Sequence, residues 1–145
     1  MNSEQRTGWS ERQTVNRLEA DREEPRPRDY HDLLVWKKGM DLAKQIYMVT
    51  QAFPDTERFG LVTQMRRAAV SVPSNIAEGQ AHNTTGEFIQ FLSHAVGSVS
   101  ELDTQLTLSV ELGFSSQAKA QPARDLILEL RKMLTALRRK LAKSY

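Results

Sequence analysis

Residues 66–106 read RRAAVSVPSNIAEGQAHNTTGEFIQFLSHAVGSVSELDTQL. In the second half of this stretch, and just beyond it, Phe88, Leu92, Ala95, Val99, Leu102, Leu106 and Ser109 recur at alternating spacings of four and three residues. That is a heptad stripe, the pattern of a helix that buries one seam against its neighbours. Thr84 or Thr85 is placed to cap this helix, Glu87 supplies an acidic first turn, and Gly113 marks its end. In the first half, Met65, Ala68, Ala69, Val72 and Ile76 continue the helical spacing of Leu61 straight through Pro73. A proline inside a helix has no N–H to donate, and its ring clashes with the carbonyl four residues back, here that of Ala69. The spacing therefore predicts a helix from near Thr56 to near Glu78, kinked near Pro73 or broken there into two short helices, with Gly79 as its C-cap.

Two further amphipathic segments flank this pair. Asp32 can cap a helix that runs to about Ala52, where Pro54 disfavours the helical conformation of Phe53. Val35, Leu42, Ile46, Val49 and Phe53 form one stripe of it, and Trp36, Met40, Ala43 and Tyr47 form a neighbouring one. So wide an apolar face exceeds what one partner helix covers, which suggests a bundle interior or an added subunit contact. The last helix starts near Ser116, or at Pro122 if that proline occupies the first turn, and reaches Lys143. Leu126, Leu130, Met133, Leu137 and Leu141 make its expected core stripe. No strand-like alternation of useful length occurs. The fold class is all-α, an antiparallel up-down four-helix bundle spanning residues 30–145.

Residues 1–29 differ in kind. They hold six Arg against seven Asp or Glu and few apolar side chains. Such a segment cannot bury enough surface to offset the entropy of ordering it, so it reads as a disordered charged tail. The chain has no cysteine, which removes disulfides and thiolate metal sites. It has no secretory apolar region and no run near the ~18 apolar residues of a membrane span. A cytoplasmic protein with no membrane association is expected.

Four constellations bear on function. Gln64, Arg67, Ser71, Asn75 and Glu78 share a flank of the second helix, and His94, Ser98, Glu101 and Gln105 share one on the third. The two flanks can meet as a structural polar seam, with Glu101 facing Arg66 or Arg67 and with Gly97 and Ser98 permitting close approach. A binding groove is the other reading of the same residues. An enzyme site at Asn75, Glu78 and Glu101 would need a carboxylate perturbed in a cavity. No glutamate among Glu78, Glu87, Glu101, Glu111 and Glu129 is followed three residues on by His, and His31, His82 and His94 are scattered, so neither a metal nor another cofactor is expected. No nucleophile elbow, phosphate loop or carboxylate pair is evident, so catalytic residues are not assigned. Residues 131–145 carry Arg131, Lys132, Arg138, Arg139, Lys140 and Lys143 and no acid. Arg131 with Arg138 and Lys132 with Arg139 form adjacent stripes, expected to be exposed. These side chains are the candidate nucleic-acid contacts, with Arg66 and Arg67 as second candidates. A solvated face, favourable at a helix C-terminus, is the plainer alternative.

From about Tyr30 to Leu141 the chain resembles the four-helix-bundle family that includes proteins encoded in intervening sequences of bacterial 23S ribosomal RNA genes. The resemblance rests on DLLVWKKGMDLAKQIY, FPDTERFGLVTQMRRAAVSVPSNIAEG and EFIQFLSHAVGSVSELDTQL. One departure is that His82 and Asn83 follow the AEG motif where family members often carry a basic residue. The resemblance implies an up-down bundle and a ring-shaped homo-oligomer, a pentamer. The chain is also similar, more distantly, to the accessory proteins of diversity-generating retroelements, pentameric barrels that bind nucleic acid and a reverse transcriptase. What this implies is a non-enzymatic oligomer that binds RNA or DNA, or else a scaffold for a protein partner such as a reverse transcriptase.

Overall fold

A computed structural model describes residues 33–143 of the chain. The tail of residues 1–29 and the Asp32 cap lie outside the described residues. The elements are α1 (Leu34–Thr50), a single 3-10 turn (Asp55–Glu57), α2 (Leu61–Ala81), α3 (Thr85–Glu111) and α4 (Gln117–Lys143). Contacts run α1 to α2, α2 to α3, α3 to α4 and back from α4 to α1. Each helix therefore touches two others around a square, the up-down-up-down arrangement short connections produce.

The connections explain where each helix stops. Thr84 is the N-cap of α3, its hydroxyl accepting from Glu87 N at 3.2 Å. At the other end Gly113 takes φ 78°, while Phe114 N donates to Ser109 O at 2.8 Å and Gly113 N to Val110 O at 3.0 Å. This is a Schellman ending, which needs a left-handed residue that glycine adopts without penalty. It turns the chain so that Phe114 meets Phe53 with ring centroids 5.8 Å apart, closing that end of the bundle. Ser116 opens α4, its hydroxyl accepting from Lys119 N at 3.1 Å.

Three expectations are corrected in α2. Thr56 does not cap it, because residues 55–57 form a separate turn. Glu57 instead reaches forward and accepts from Leu61 N at 3.2 Å. Of the two readings at Pro73, kink or break, it is the break that is overturned: the helix continues to Ala81, with Pro73 buried inside it. Gly79 is not the C-cap either. It is buried two residues before the end, where a Cβ would lie 2.8 Å from Phe91 Cβ. The missing side chain there lets α2 and α3 close against each other.

The interior is apolar. Phe88, Leu92, Ala95, Val99, Leu102 and Leu106 of α3 are fully buried, as the heptad predicts. Burying a side chain of the Leu or Phe class contributes about 1.5–3 kcal/mol, so this one stripe supplies a large part of the core. Ser109 completes it without an orphan hydroxyl, donating to Leu106 O at 2.7 Å. The stripe Val35, Leu42, Ile46 and Val49 of α1, with Phe53 just beyond its end, is buried, while Trp36 and Ala43 pack half-buried against it.

α4 departs from expectation. Its buried residues are Ala120, Ala123, Ile127, Leu130, Leu134 and Leu141, with Leu126, Met133 and Leu137 only partly covered. At 100° per residue the inward direction is rotated by about 60° from the stripe of largest side chains, toward the side that carries Arg131 and Arg138. That rotation decides which cations reach solvent.

Candidate nucleic-acid interface

The rotation of α4 splits its cations into two sets. Arg124, Arg131 and Arg138, spaced by seven, are turned toward the α3 seam. Arg131 donates to Asp103 Oδ2 at 3.1 Å, and Arg124 lies 3.7 Å from Asp103 Oδ1 while donating to Thr107 Oγ1 at 3.2 Å. One carboxylate thus serves two guanidinium groups. Arg138 is half-buried, its Nε shielded from solvent with no acceptor. The expected exposed stripe of Arg131 and Arg138 is therefore a seam between helices, and Arg131 is already engaged.

Lys132, Arg139 and Lys143 form the second set. All three are exposed, and their positions on the helix point directly away from the core. None of them makes an ion pair among the described residues. Lys140 is also exposed and is displaced toward the α1 side. The lone acid nearby on that side, Glu129, is held by Lys38 of α1 at 3.3 Å. The last three turns of α4 thus present an outward cationic stripe free of acid, at a helix C-terminus where positive charge is favourable.

The second candidates separate. Arg66 does not face Glu101. It lies over α1, its Nε donating to Thr50 Oγ1 at 3.0 Å and its guanidinium 4.5 Å from the Tyr47 ring centroid. This stacking fixes the α1–α2 pair rather than offering a free charge. Arg67 is exposed, beside a shallow hollow lined by Tyr47, Thr63, Arg66 and Val70. Its position is remote from the α4 stripe, because Arg67 sits near the start of α2 and the stripe lies at the end of α4.

The polar seam of α2 and α3 exists in its middle. Ser71 Oγ and Ser98 Oγ are 2.8 Å apart, and Asn75 Nδ2 donates to Ser71 O at 2.8 Å and to Ser71 Oγ at 2.9 Å. Glu78 and Glu101 are exposed, with Glu101 accepting only from its own helix, from Gln105 Nε2 at 3.2 Å. Gly97 is exposed and a Cβ there would touch nothing within 4 Å, so it gives no close approach. The seam is a hydrogen-bonded lock with no enclosed carboxylate. Sequence reasoning missed the lock at its end, where His82 Nδ1 lies 2.8 Å from Glu87 Oε2 and the His82 ring stacks on Phe91 at 4.8 Å. The five-residue spacing of His82 and Glu87 across a turn was its only signal.

Among the described residues no group of three or more His, Cys, Asp or Glu side chains is placed to hold a metal, and no helix is long and apolar enough to cross a membrane. No curated protein matches the sequence. Among solved structures, a protein of unknown function from the S23 ribosomal protein family of Bacteroides thetaiotaomicron VPI-5482 superposes with a TM-score of 0.65 at 20% identity, over 72% of this chain and 97% of that one. At that identity the likeness concerns the fold alone. The profile of the family described as 23S rRNA-intervening sequence protein matches residues 31–136, a span that takes in α1, α2, α3 and most of α4. On that match, and on a bundle whose α2–α3 stretch carries the family's sequence pattern, the chain belongs to the family of 23S rRNA-intervening sequence proteins.

Proposed function

We propose that this protein is a non-enzymatic, cytoplasmic homo-oligomer, a pentameric ring, that binds structured RNA through the outward stripe of α4. The observation that carries the reading is the set Lys132, Arg139 and Lys143, exposed on one line that carries no acid beyond Asp125. Phosphate contacts of this kind release counterions, so affinity falls steeply as salt rises. A ring repeats the stripe, and several weak patches on one assembly bind far more tightly than one. The family's tie to a ribosomal RNA gene makes RNA the first ligand to try. Arg66, Arg131 and Arg138 are structural in this reading, and Arg67 is at most peripheral.

The test is a filter-binding titration at two salt concentrations with wild type and an Arg139→Glu/Lys143→Glu variant. Wild type is expected to bind structured RNA at low salt and the variant to lose at least about tenfold, since two phosphate contacts become repulsions. No affinity of the wild type at low salt refutes the reading.

A second reading, a scaffold for a protein partner such as a reverse transcriptase, is favoured by a separate feature. Trp36, Met40, Ala43, Val70, Pro73 and Ala77 line an open apolar hollow between α1 and α2. In the first reading that hollow is a subunit contact. In the second it receives the partner, and charge reversal on α4 leaves partner capture unchanged.

A further inference from the structure

We propose that the hollow at Tyr47, Arg66 and Arg67 is a binding site for an unpaired nucleotide of a nucleic-acid strand, with the base against the Tyr47–Arg66 stack and a phosphate at Arg67. The site does not rest on the α4 stripe and shares with that reading only the class of ligand. Its lining is Tyr47 of α1 with Thr63, Arg66, Arg67 and Val70 of α2, and no carboxylate is among them. Arg66 is held in place before any ligand arrives. Its Nε donates to Thr50 Oγ1 at 3.0 Å, and that hydroxyl donates in turn to Ile46 O at 2.7 Å. A second guanidinium nitrogen donates to Tyr47 O at 3.4 Å, and the group lies 4.5 Å from the centroid of the Tyr47 ring. The result is a flat wall, cationic and aromatic, whose order is already set. A planar base that adds to it has no side chain of the stack to immobilise. Tyrosine rings and guanidinium planes are the surfaces on which unpaired bases stack.

The charge of the hollow selects an anion. Among the described residues neither Arg66 nor Arg67 has an ion-pair partner, and Arg67 is exposed beside the stack. The shape selects a strand over a free nucleotide. The hollow holds about 420 Å³, within the range of small-ligand sites, but it is shallow and open. A free nucleotide would stay largely in water there, whereas a base carried by a strand needs only one face covered. Little in the hollow reads a base edge, since no amide or carboxylate lines it and Thr63 Oγ1 already donates to Arg58 O at 2.6 Å. The site is therefore tolerant of base identity. It lies further along α1 and α2 than the hollow at Trp36 and Met40, with Val70 common to both. Base-paired RNA has no free base to place here, so a blunt duplex reads the stripe and its assembly without this site.

Full-length protein is titrated at low salt with a single-stranded oligoribonucleotide and with the same oligomer made abasic, which keeps every phosphate and removes the bases. The intact strand is expected to bind at least about fivefold more tightly, the weight of one stacked base. Equal affinities overturn the proposal. Tyr47→Leu is expected to abolish this difference and Tyr47→Phe to keep it, because the phenyl ring stacks as the phenol does. A difference that survives in a folded Tyr47→Leu protein places the base elsewhere and overturns the site. Arg67 is exposed, so Arg67→Gln reads the same hollow where Tyr47→Leu fails to fold. It is expected to flatten the log–log salt dependence of single-strand binding by about 0.7, one phosphate contact, and an unchanged slope overturns the assignment of Arg67. A blunt duplex separates this site from the stripe. Duplex binding by wild type, with equal affinity for intact and abasic strands, keeps the stripe and refutes the hollow. Preference for the intact strand, lost in Tyr47→Leu, with no duplex binding, keeps the hollow and refutes the stripe.

Discussion

Two glycines show how little a residue's identity says until its neighbour is known. By sequence Gly79 reads as a helix end and Gly97 as a point of close approach, and the two roles are misplaced. A Cβ at position 79 would meet Phe91 Cβ at 2.8 Å, whereas one at 97 would meet nothing within 4 Å. Gly79→Ala must push α2 and α3 apart along buried backbone, since Phe91 Cβ cannot swing away. It is expected to destabilise the fold by about 1–3 kcal/mol despite the better helix propensity of alanine. Gly97→Ala removes only the entropy penalty of glycine in an exposed helix and should stabilise by about 0.5–1 kcal/mol. Urea midpoints of the two variants, measured side by side, check the assignment. Equal shifts of the same sign would show that the α2–α3 approach is not set at Gly79. Ser71 and Ser98, by contrast, are placed correctly by the wheel alone, because both lie at the margin of unambiguous apolar stripes.

At the scale of helices, legibility followed the sharpness of the stripe. α3 has one line of large apolar residues and no competitor, so the residues read as core are the residues buried. α4 has two candidate lines, because Leu126, Met133 and Leu137 are as apolar as Ile127 and Leu134, and the alanines at 120 and 123 give no amplitude to the true one. The choice between lines is made by packing against α1 and α3, which a single helix cannot reveal. The cost of the error falls on function: the rotation turns Arg131 and Arg138 inward and leaves Lys132, Arg139 and Lys143 as the outward set. Similarly, the wheel alone puts Arg66 beside the α2–α3 seam, because Thr50 and Tyr47, its real partners, belong to α1. The Asp103 cluster follows from the rotation and gives a prediction at this scale. Asp103 is partly exposed, its side chain 36% accessible, so Asp103→Asn should change stability by no more than about 1 kcal/mol. It should also release Arg124 and Arg131 toward solvent. The log–log salt dependence of RNA binding is then expected to steepen by about 1 to 2 units. An unchanged slope in filter binding would mean that the two arginines stay in the seam without their carboxylate.

On the molecular scale, Met48 at 57% and Phe59 at 90% accessible lie near the connection of α1 to α2, while the cationic stripe occupies the far end of α4. Among the described residues a single copy offers three cations in a line without an ion pair, a small footprint for a folded RNA. The functional reading therefore depends on assembly, and assembly and binding must fail together. Val70 tests this, since it lines the α1–α2 hollow and is 44% accessible. Val70→Glu places an unpaired carboxylate in that hollow and is expected to yield monomers by light scattering, with an unchanged melting curve by circular dichroism. Its α4 stripe is intact, so any loss of affinity measures the repeated patches alone. A drop of about a hundredfold or more is expected, within the range by which linked sites exceed single ones. A monomeric Val70→Glu protein that binds RNA as tightly as wild type would show that one stripe suffices, and a variant that remains oligomeric would move the subunit contact away from the α1–α2 hollow.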